Sequence, residues 1–194
     1  MQIERLAIPG VMQITPPRHG DQRGYFTVTY NRDILAELGI DSDFSQDNQS
    51  WSAAAGTVRG LHFQYPPAQQ AKLVRVVKGR ALDVVVDARR GSPAFGQHLT
   101  SELSAETGAQ IFVPRGCLHG FVTLEADTIL QYKVDNDYAP GLDASLAWDD
   151  PDLGIDWGIS RAAATLSAKD ANGIAWASFD SPFRFEGPAG AAGS

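Results

Sequence analysis

The chain has 194 residues, 43% of them hydrophobic and 20% charged, a balance that suits one globular domain able to bury a core without crosslinks. A formal net charge of −7 argues against nucleic acid or an anionic membrane as the main partner, although a few local cations could still hold a small anionic ligand. One cysteine, no apolar h-region in MQIERLAIPG and no run of about 20 apolar residues predict a cytoplasmic protein, neither secreted through a cleaved signal nor inserted in a membrane.

In chain order, the first clear element is a short helix at 32–38, with Asn31 as N-cap and Gly39 just past its end. KLVRVV at 72–77 and ALDVVVD at 81–87 read as two adjacent strands joined through Lys78 and Gly79. QIFV at 110–113 is a strand running into the turn Pro114-Arg115-Gly116, and Cys117 beyond it reads as a small buried hydrophobe. TILQYKV at 128–134 alternates, so that Thr128, Leu130, Tyr132 and Val134 share one face. A second helical stretch is predicted near 160–166, and the Gly/Ala-rich tail EGPAGAAGS at 186–194 is expected to fray. Many short strands punctuated by Gly and Pro predict an all-β sandwich or barrel, one domain over residues 1–185, rather than a parallel sheet.

Two segments concentrate the chemistry: RGLHFQYPPAQQAKLVRVVKG, Arg59 to Gly79, and GAQIFVPRGCLHGFVT, Gly108 to Thr123. The second has the spacing G-x5-P-x-G-x2-H-x3, ending on Thr123 rather than Asn, and resembles the second motif of the cupin barrels. The first resembles their first motif with pointed substitutions: His62 is present, Gln64 replaces the second histidine, and Lys72 stands where a glutamate would be. A metal site of that type wants three histidines and a carboxylate, and a cation in place of a ligand argues against it. A neutral histidine is instead a natural proton acceptor, and a nearby lysine can stabilise a developing oxyanion. His62 and Lys72 therefore suit removal of a proton α to a carbonyl, with Tyr132 as the donor from the other side. Either Asp170, in LSAKD, or Asp83, in ALDVVV, could orient His62, and residue chemistry alone does not choose between them.

In order along about residues 3 to 175, DQRGYF at 21–26, QDN at 46–48, RGLHFQ at 59–64, KLVRVVKG at 72–79, FVPRGCLHGF at 112–121, WDDPDLGIDW at 148–157 and LSAKD at 166–170 resemble the dTDP-4-dehydrorhamnose 3,5-epimerase family. The resemblance implies a cupin-type jelly-roll β-barrel with a few short helices, no cofactor, no metal, a nucleotide-sugar substrate and a homodimer whose sites draw on both subunits. It also implies His62 as base with Asp170 as its partner, Tyr132 as acid and Lys72 at the enolate. Arg23 and Arg59 would hold the diphosphate, Gln46 and Asn48 would lie near the nucleotide, Phe26 and Tyr138 would pack on the base or sugar, and His119, Asp143 and Lys169 would line the ligand. Guanidinium forks suit phosphate oxygens, so the assignment is physically coherent.

Two departures stand out. Val28 occupies the place of a family glutamate on the nucleotide-binding face, and Asp143 is one methylene shorter than the usual Glu. Neither touches the acid, base or oxyanion stabiliser, so the reaction type is firmer than the substrate. A single-centre epimerase, a metal-dependent cupin with His62 and His119 as ligands, and a non-catalytic sugar-nucleotide binder are the competing readings. One geometric condition follows: Arg59 and His62 are three apart, so a regular strand would aim them at opposite faces, and Gly60 must bend or bulge if both serve one site.

Overall fold

The computed structural model describes residues 1–187; most of the tail expected to fray, residues 188–194, lies outside the described residues. Among the described residues the strands form two antiparallel sheets and one separate hairpin. The first sheet runs, in spatial order, β1 (Gln2–Arg5), β2 (Met12–Thr15), β10 (Gln110–Val113), β7 (Lys72–Lys78), β12 (Thr128–Val134) and β5 (Gln46–Ser52). The second runs β13 (Asp143–Ser145), β6 (Val58–Gln64), β11 (Cys117–Thr123), β8 (Arg80–Asp87) and β9 (His98–Ser104), while β3 (His19–Asp21) and β4 (Gly24–Phe26) make the hairpin. From β5 onward the chain crosses between the sheets at every step but β8–β9, the connectivity of a jelly roll. No helix among the described residues is long and apolar enough to cross a membrane.

This crossing corrects the expectation that residues 72–77 and 81–87 pair side by side. β7 pairs with β10 and β12, and β8 with β11 and β9. Gly79, at φ +78°, turns the corner, and a Cβ there would lie 2.4 Å from Thr128 Oγ1. Val74 and Val76 of β7 then face Ala81 and Val85 of β8 through the core, together with Ile111, Leu130, Cys117 and Phe121. Cys117 is buried there as expected, and burial pushes its thiol pKa well up.

The alternate residues of the second sheet, including Leu61, Phe63, Val84, Val86, Leu118 and Val122, point outward. They are buried by Leu146, Trp148, Leu153, Trp157 and Phe183 from the C-terminal third of the chain. That is why ALDVVVD reads as an almost continuous apolar run: both faces are covered. The predicted first helix is present as α1 (Arg32–Glu37), with Asn31 accepting from the Ile34 N–H and Gly39 left-handed at φ +84°. Leu35 and Ile40 anchor it on Met12, Ile14, Leu73 and Phe112, the outer face of the first sheet. Full burial of one such side chain contributes roughly 1.5–3 kcal/mol.

The helix predicted near 160–166 does not form. Ser160 to Ala164 make a single turn, but the Thr165 N–H is taken by Gly56 O, and Thr165 bridges to Thr57 at the β5–β6 connection. Tertiary pairing there outweighs the helix propensity of three alanines. A one-turn helix appears instead at α2 (Ala168–Ala171), capped by Ser167.

Candidate active site

The inner face of β6 carries Arg59, His62 and Gln64, and a bulge makes that possible. His62 stands opposite His119 on β11 and Arg59 opposite Phe121, with the register slipping between them. Gly60 absorbs the slip at φ +127°, where a Cβ would come within 2.5 Å of Gly120 Cα. The condition set by the sequence is met: Arg59 shares the face of His62. Its guanidinium reaches across to β5, donating to Ser52 Oγ at 3.3 Å and to Trp51 O at 3.1 Å.

His62 Nε2 lies 2.5 Å from Asp170 Oδ1. Asp170 is itself fixed on three sides: Ser167 Oγ donates to Oδ2 at 2.7 Å, the Gly60 N–H donates to Oδ1 at 3.2 Å, and the Asp170 N–H returns to Ser167 Oγ at 3.1 Å. Burial opposes ionisation of Asp170, but the hydrogen bonds from His62, Ser167 and Gly60 outweigh it and hold the carboxyl below its usual range. A carboxylate at Nε2 assigns that nitrogen the proton and leaves the Nδ1 lone pair free. Burial lowers the His62 pKa; Asp170 pulls the other way, and the positive charges of Lys72 and Lys169 add to the lowering. The imidazole is therefore neutral at pH 7. Asp83, the alternative orienter, instead holds Nε2 of His119 at 2.7 Å, with both side chains buried.

A cavity of about 310 Å³ opens in front of His62. His62 faces it from the second sheet, and Lys72 of β7, Tyr132 of β12 and Gln46 and Asn48 of β5 face it from the first. Gln46 Nε2 donates to Asn48 Oδ1 at 2.6 Å. Lys72 is only 8% exposed and has no ion pair among the described residues. Burial drives its pKa down from 10.5 to about 8, against the pull of Asp143 and Asp83 and with help from Lys169. A buried ammonium without a carboxylate is costly, and negative charge developing on a bound molecule would compensate it. Burial also raises the Tyr132 pKa, and Asp143 adds to this while Arg59 opposes it, so the phenol keeps its proton. Near the cavity mouth, Asp143 Oδ2 accepts from Tyr138 Oη at 3.2 Å and pairs with Lys169 Nζ.

Four residues expected at the ligand do not line this cavity. Arg23 sits on the β3–β4 hairpin, 82% exposed at its side chain and paired with Asp21, and Phe26 on the same hairpin is 67% exposed. His119 is turned into its pair with Asp83, and Arg59 is engaged with β5. Two residues that sequence reasoning passed over do matter. Ser167 orients Asp170, a role legible in the S-x-x-D pattern of a helix start. Gln64 was expected only as a failed metal ligand; two residues from His62 on one face, it lines the cavity with its amide fully engaged.

The donor set does not fit a metal ion. His62 is held by Asp170, His119 by Asp83, the Gln64 amide is bonded to backbone, and Lys72 brings a positive charge. What remains is a neutral base and a protonated phenol facing one cavity from opposite sheets, with a buried ammonium beside them. Groups so arranged can take a proton from carbon on one side, hold the resulting enolate oxygen, and return a proton on the other.

Comparison with known proteins agrees in sequence and in shape. The family described as dTDP-4-dehydrorhamnose 3,5-epimerase matches residues 5–178. An enzyme of that name from Sinorhizobium fredii is 46% identical over 172 residues, covering 89% of this chain and 88% of its own. Another from Pseudomonas aeruginosa is 45% identical over 181 residues, covering 93% and 98%. Among solved structures, the dTDP-6-deoxy-D-glucose-3,5-epimerase of Legionella pneumophila in complex with dTDP-4-keto-L-rhamnose superposes with a TM-score of 0.91, at 38% identity, over 96% of this chain and 99% of that one.

Proposed function

The chain belongs to the dTDP-4-dehydrorhamnose 3,5-epimerase family, built on the cupin-type jelly roll, and we propose that it inverts C3 and C5 of dTDP-4-dehydro-6-deoxy-glucose with His62, Tyr132, Lys72 and Asp170 as its catalytic groups. It is an isomerase of a nucleotide-linked keto sugar on the route to dTDP-L-rhamnose. The ketone at C4 acidifies the C–H bonds on either side of it. His62 Nδ1 takes the proton from one of these carbons, the C–H electron pair moves into the ring as an enolate, and the Lys72 ammonium meets the charge that collects on the C4 oxygen. The Tyr132 hydroxyl then delivers a proton to the opposite face of the same carbon. His62 ends protonated and Tyr132 ionised; exchange with water resets both, and the sugar ring rearranges to present the second carbon. Atoms and electrons balance with no oxidant or reductant.

One observation carries this reading: the base and the acid reach a single cavity from different sheets, with an unpaired buried lysine between the same walls. Asp170 serves by holding His62 in the tautomer that leaves Nδ1 without a proton.

Binding is divided differently. Gln46, Asn48, Asp143 and Lys169 line the cavity directly, and Tyr138 offers an exposed ring for the base or sugar. Arg23 and Phe26 leave the cavity of their own chain, and we assign them to the diphosphate and base at the site of a second copy, in a homodimer. Arg59 and His119 would turn towards the ligand only by giving up their present partners. A cytoplasmic location accords with a single buried thiol.

Turnover of the keto sugar in D2O tests the assignment. Deuterium should enter at both C3 and C5. Label at one carbon alone would make this a single-centre epimerase, and no label at either would end the proposal for this substrate.

A further inference from the structure

Gln64 is 4% exposed and occupies the position at which a metal-binding cupin would place its second histidine. Both N–H donors of its amide and its oxygen are engaged. Nε2 donates to Ala68 O at 2.7 Å and to Asp137 O at 3.1 Å, and Oε1 accepts from the Ala139 N–H at 2.7 Å. The two last partners are the residues immediately before and after Tyr138. Further contacts join the same two loops nearer β12: the Ala71 N–H donates to Asp135 Oδ1 at 2.7 Å, and Gln70 Nε2 to Asn136 O at 2.7 Å. Beyond Tyr138, the Tyr65 N–H donates to Leu142 O at 2.8 Å. Among the described residues, Gln64 alone reaches from outside the 135–142 segment to the backbone on both sides of Tyr138.

Tyr138 needs such an anchor. Tyr138 is 57% exposed, and among the described residues its hydroxyl is tied only to Asp143, so packing does not fix it. A stacking ring is useful when its backbone is held still, because otherwise the ligand must meet the entropy of ordering a loop. We propose that Gln64 is a positioning residue for binding: it clamps the backbone around Tyr138 so that the ring is presented to the nucleotide at the cavity mouth. This rests on the assignment of Tyr138 to the base or sugar made above. Gln64, its amide bonded to backbone, takes no part in proton transfer. Its loss should weaken binding while leaving proton transfer on the strands intact.

Calorimetric titration with thymidine diphosphate, beside steady-state kinetics with active-site concentration measured, tests it in a four-protein cycle of parent, Gln64→Met, Tyr138→Ala and the double variant. Losing one base–aromatic stack should cost about tenfold in affinity for Tyr138→Ala. Gln64→Met should lose several-fold in affinity and raise KM in step, with kcat per active site within about twofold of the parent. In the Tyr138→Ala background the same change should add less than about twofold, since the ring it positions is gone. Amide exchange should quicken across residues 137–139. A lowered melting temperature with unchanged KM and affinity would show a merely structural residue and overturn the proposal, as would full additivity in the double variant. Unchanged binding by Tyr138→Ala would instead bring down the stacking assignment on which this rests. Should Gln64→Met fail to fold, Gln64→Glu keeps the acceptor for Ala139 and loses the donors, and the cycle is read with it.

Discussion

The proposed acid–base centre and the groups proposed to meet the nucleotide are built on opposite principles. His62, Lys72 and Tyr132 project from the inner faces of β6, β7 and β12, strands hydrogen-bonded on both sides within their sheets, and their ionisation states are set by burial. Arg23, Phe26 and Tyr138 sit on a hairpin and a loop, exposed, with Arg23 spending its charge on a neighbouring aspartate. Proton transfer needs positions fixed within fractions of an ångström, which paired strands supply. The proposed nucleotide grip sits instead on surface segments whose backbone is pinned from the strands, as Gln64 bonds on both sides of Tyr138. Substitutions in the first region should therefore act on kcat and those in the second on KM.

The largest effect belongs to the base. His62→Asn removes the imidazole from the cavity, and kcat should fall by about 10³–10⁴-fold with deuterium uptake lost at both carbons. Tyr132→Phe should lower epimerisation by about 10²–10³-fold while leaving the base in place. Residual exchange of substrate hydrogen with solvent, without inversion, is the mark of a missing acid. If Tyr132→Phe inverts both centres at the parent rate, the phenol is not the donor and the symmetry of the two walls is lost.

Lys72→Met follows, at about 10²-fold in kcat with KM little changed, because the ammonium matters most when the C4 oxygen becomes an oxyanion. The pH profile of kcat/KM separates its contribution. The base must be neutral, and burial lowers the His62 pKa, so activity rises with pH through a midpoint below the ordinary histidine value. Lys72 must be charged and its pKa lies near 8, so activity falls as pH rises through about that value. Tyr132, raised by burial, loses its proton only at higher pH still. Lys72→Met should abolish the fall near pH 8 and keep the rise; a fall that survives in the variant belongs to some other group.

The same division governs what could be read from the sequence. The strands at 110–113 and 128–134, the face carrying Tyr132 and the capped helix after Asn31 follow from periodicity and end signals, because local preference and tertiary packing agree there. The pairing of β7 with β10 and β12 rather than with β8 does not, since a strand–Gly–strand pattern looks the same whether the chain folds back or crosses to another sheet. The 160–166 stretch misled for a related reason: helix propensity is local, and the bridge from Thr165 to Thr57 spans more than a hundred residues. At the site, the bulge at Gly60 could be demanded from the three-residue offset of Arg59 and His62. The resemblance pointed to Asp170, but residue chemistry alone could not choose it over Asp83, because both carboxylates meet a histidine and only the fold decides which. Gln64 was visible as a substitution, but its job lies in backbone partners that no side-chain pattern encodes.

The smallest effect is the one that tests the exposed region, and it bears on assembly. A charge-assisted contact from Arg23 to a phosphate oxygen is worth about 1.5–3 kcal/mol, so Arg23→Ala should raise KM about ten- to hundredfold and leave kcat per site nearly constant. The pair with Asp21 lowers that aspartate's pKa and must be broken or shared when the diphosphate binds, which puts the expected loss at the lower end of the range. If Arg23 serves the site of a second copy, the parent protein carries its own control. Diluted until the dimer separates, with the transition followed by sedimentation, it should drift towards the KM of Arg23→Ala while its kcat persists, because base, acid and lysine all belong to one chain. A KM that stays constant through that transition would mean the hairpin reaches the cavity of its own chain, and the contrast between a complete catalytic centre and a borrowed grip would collapse.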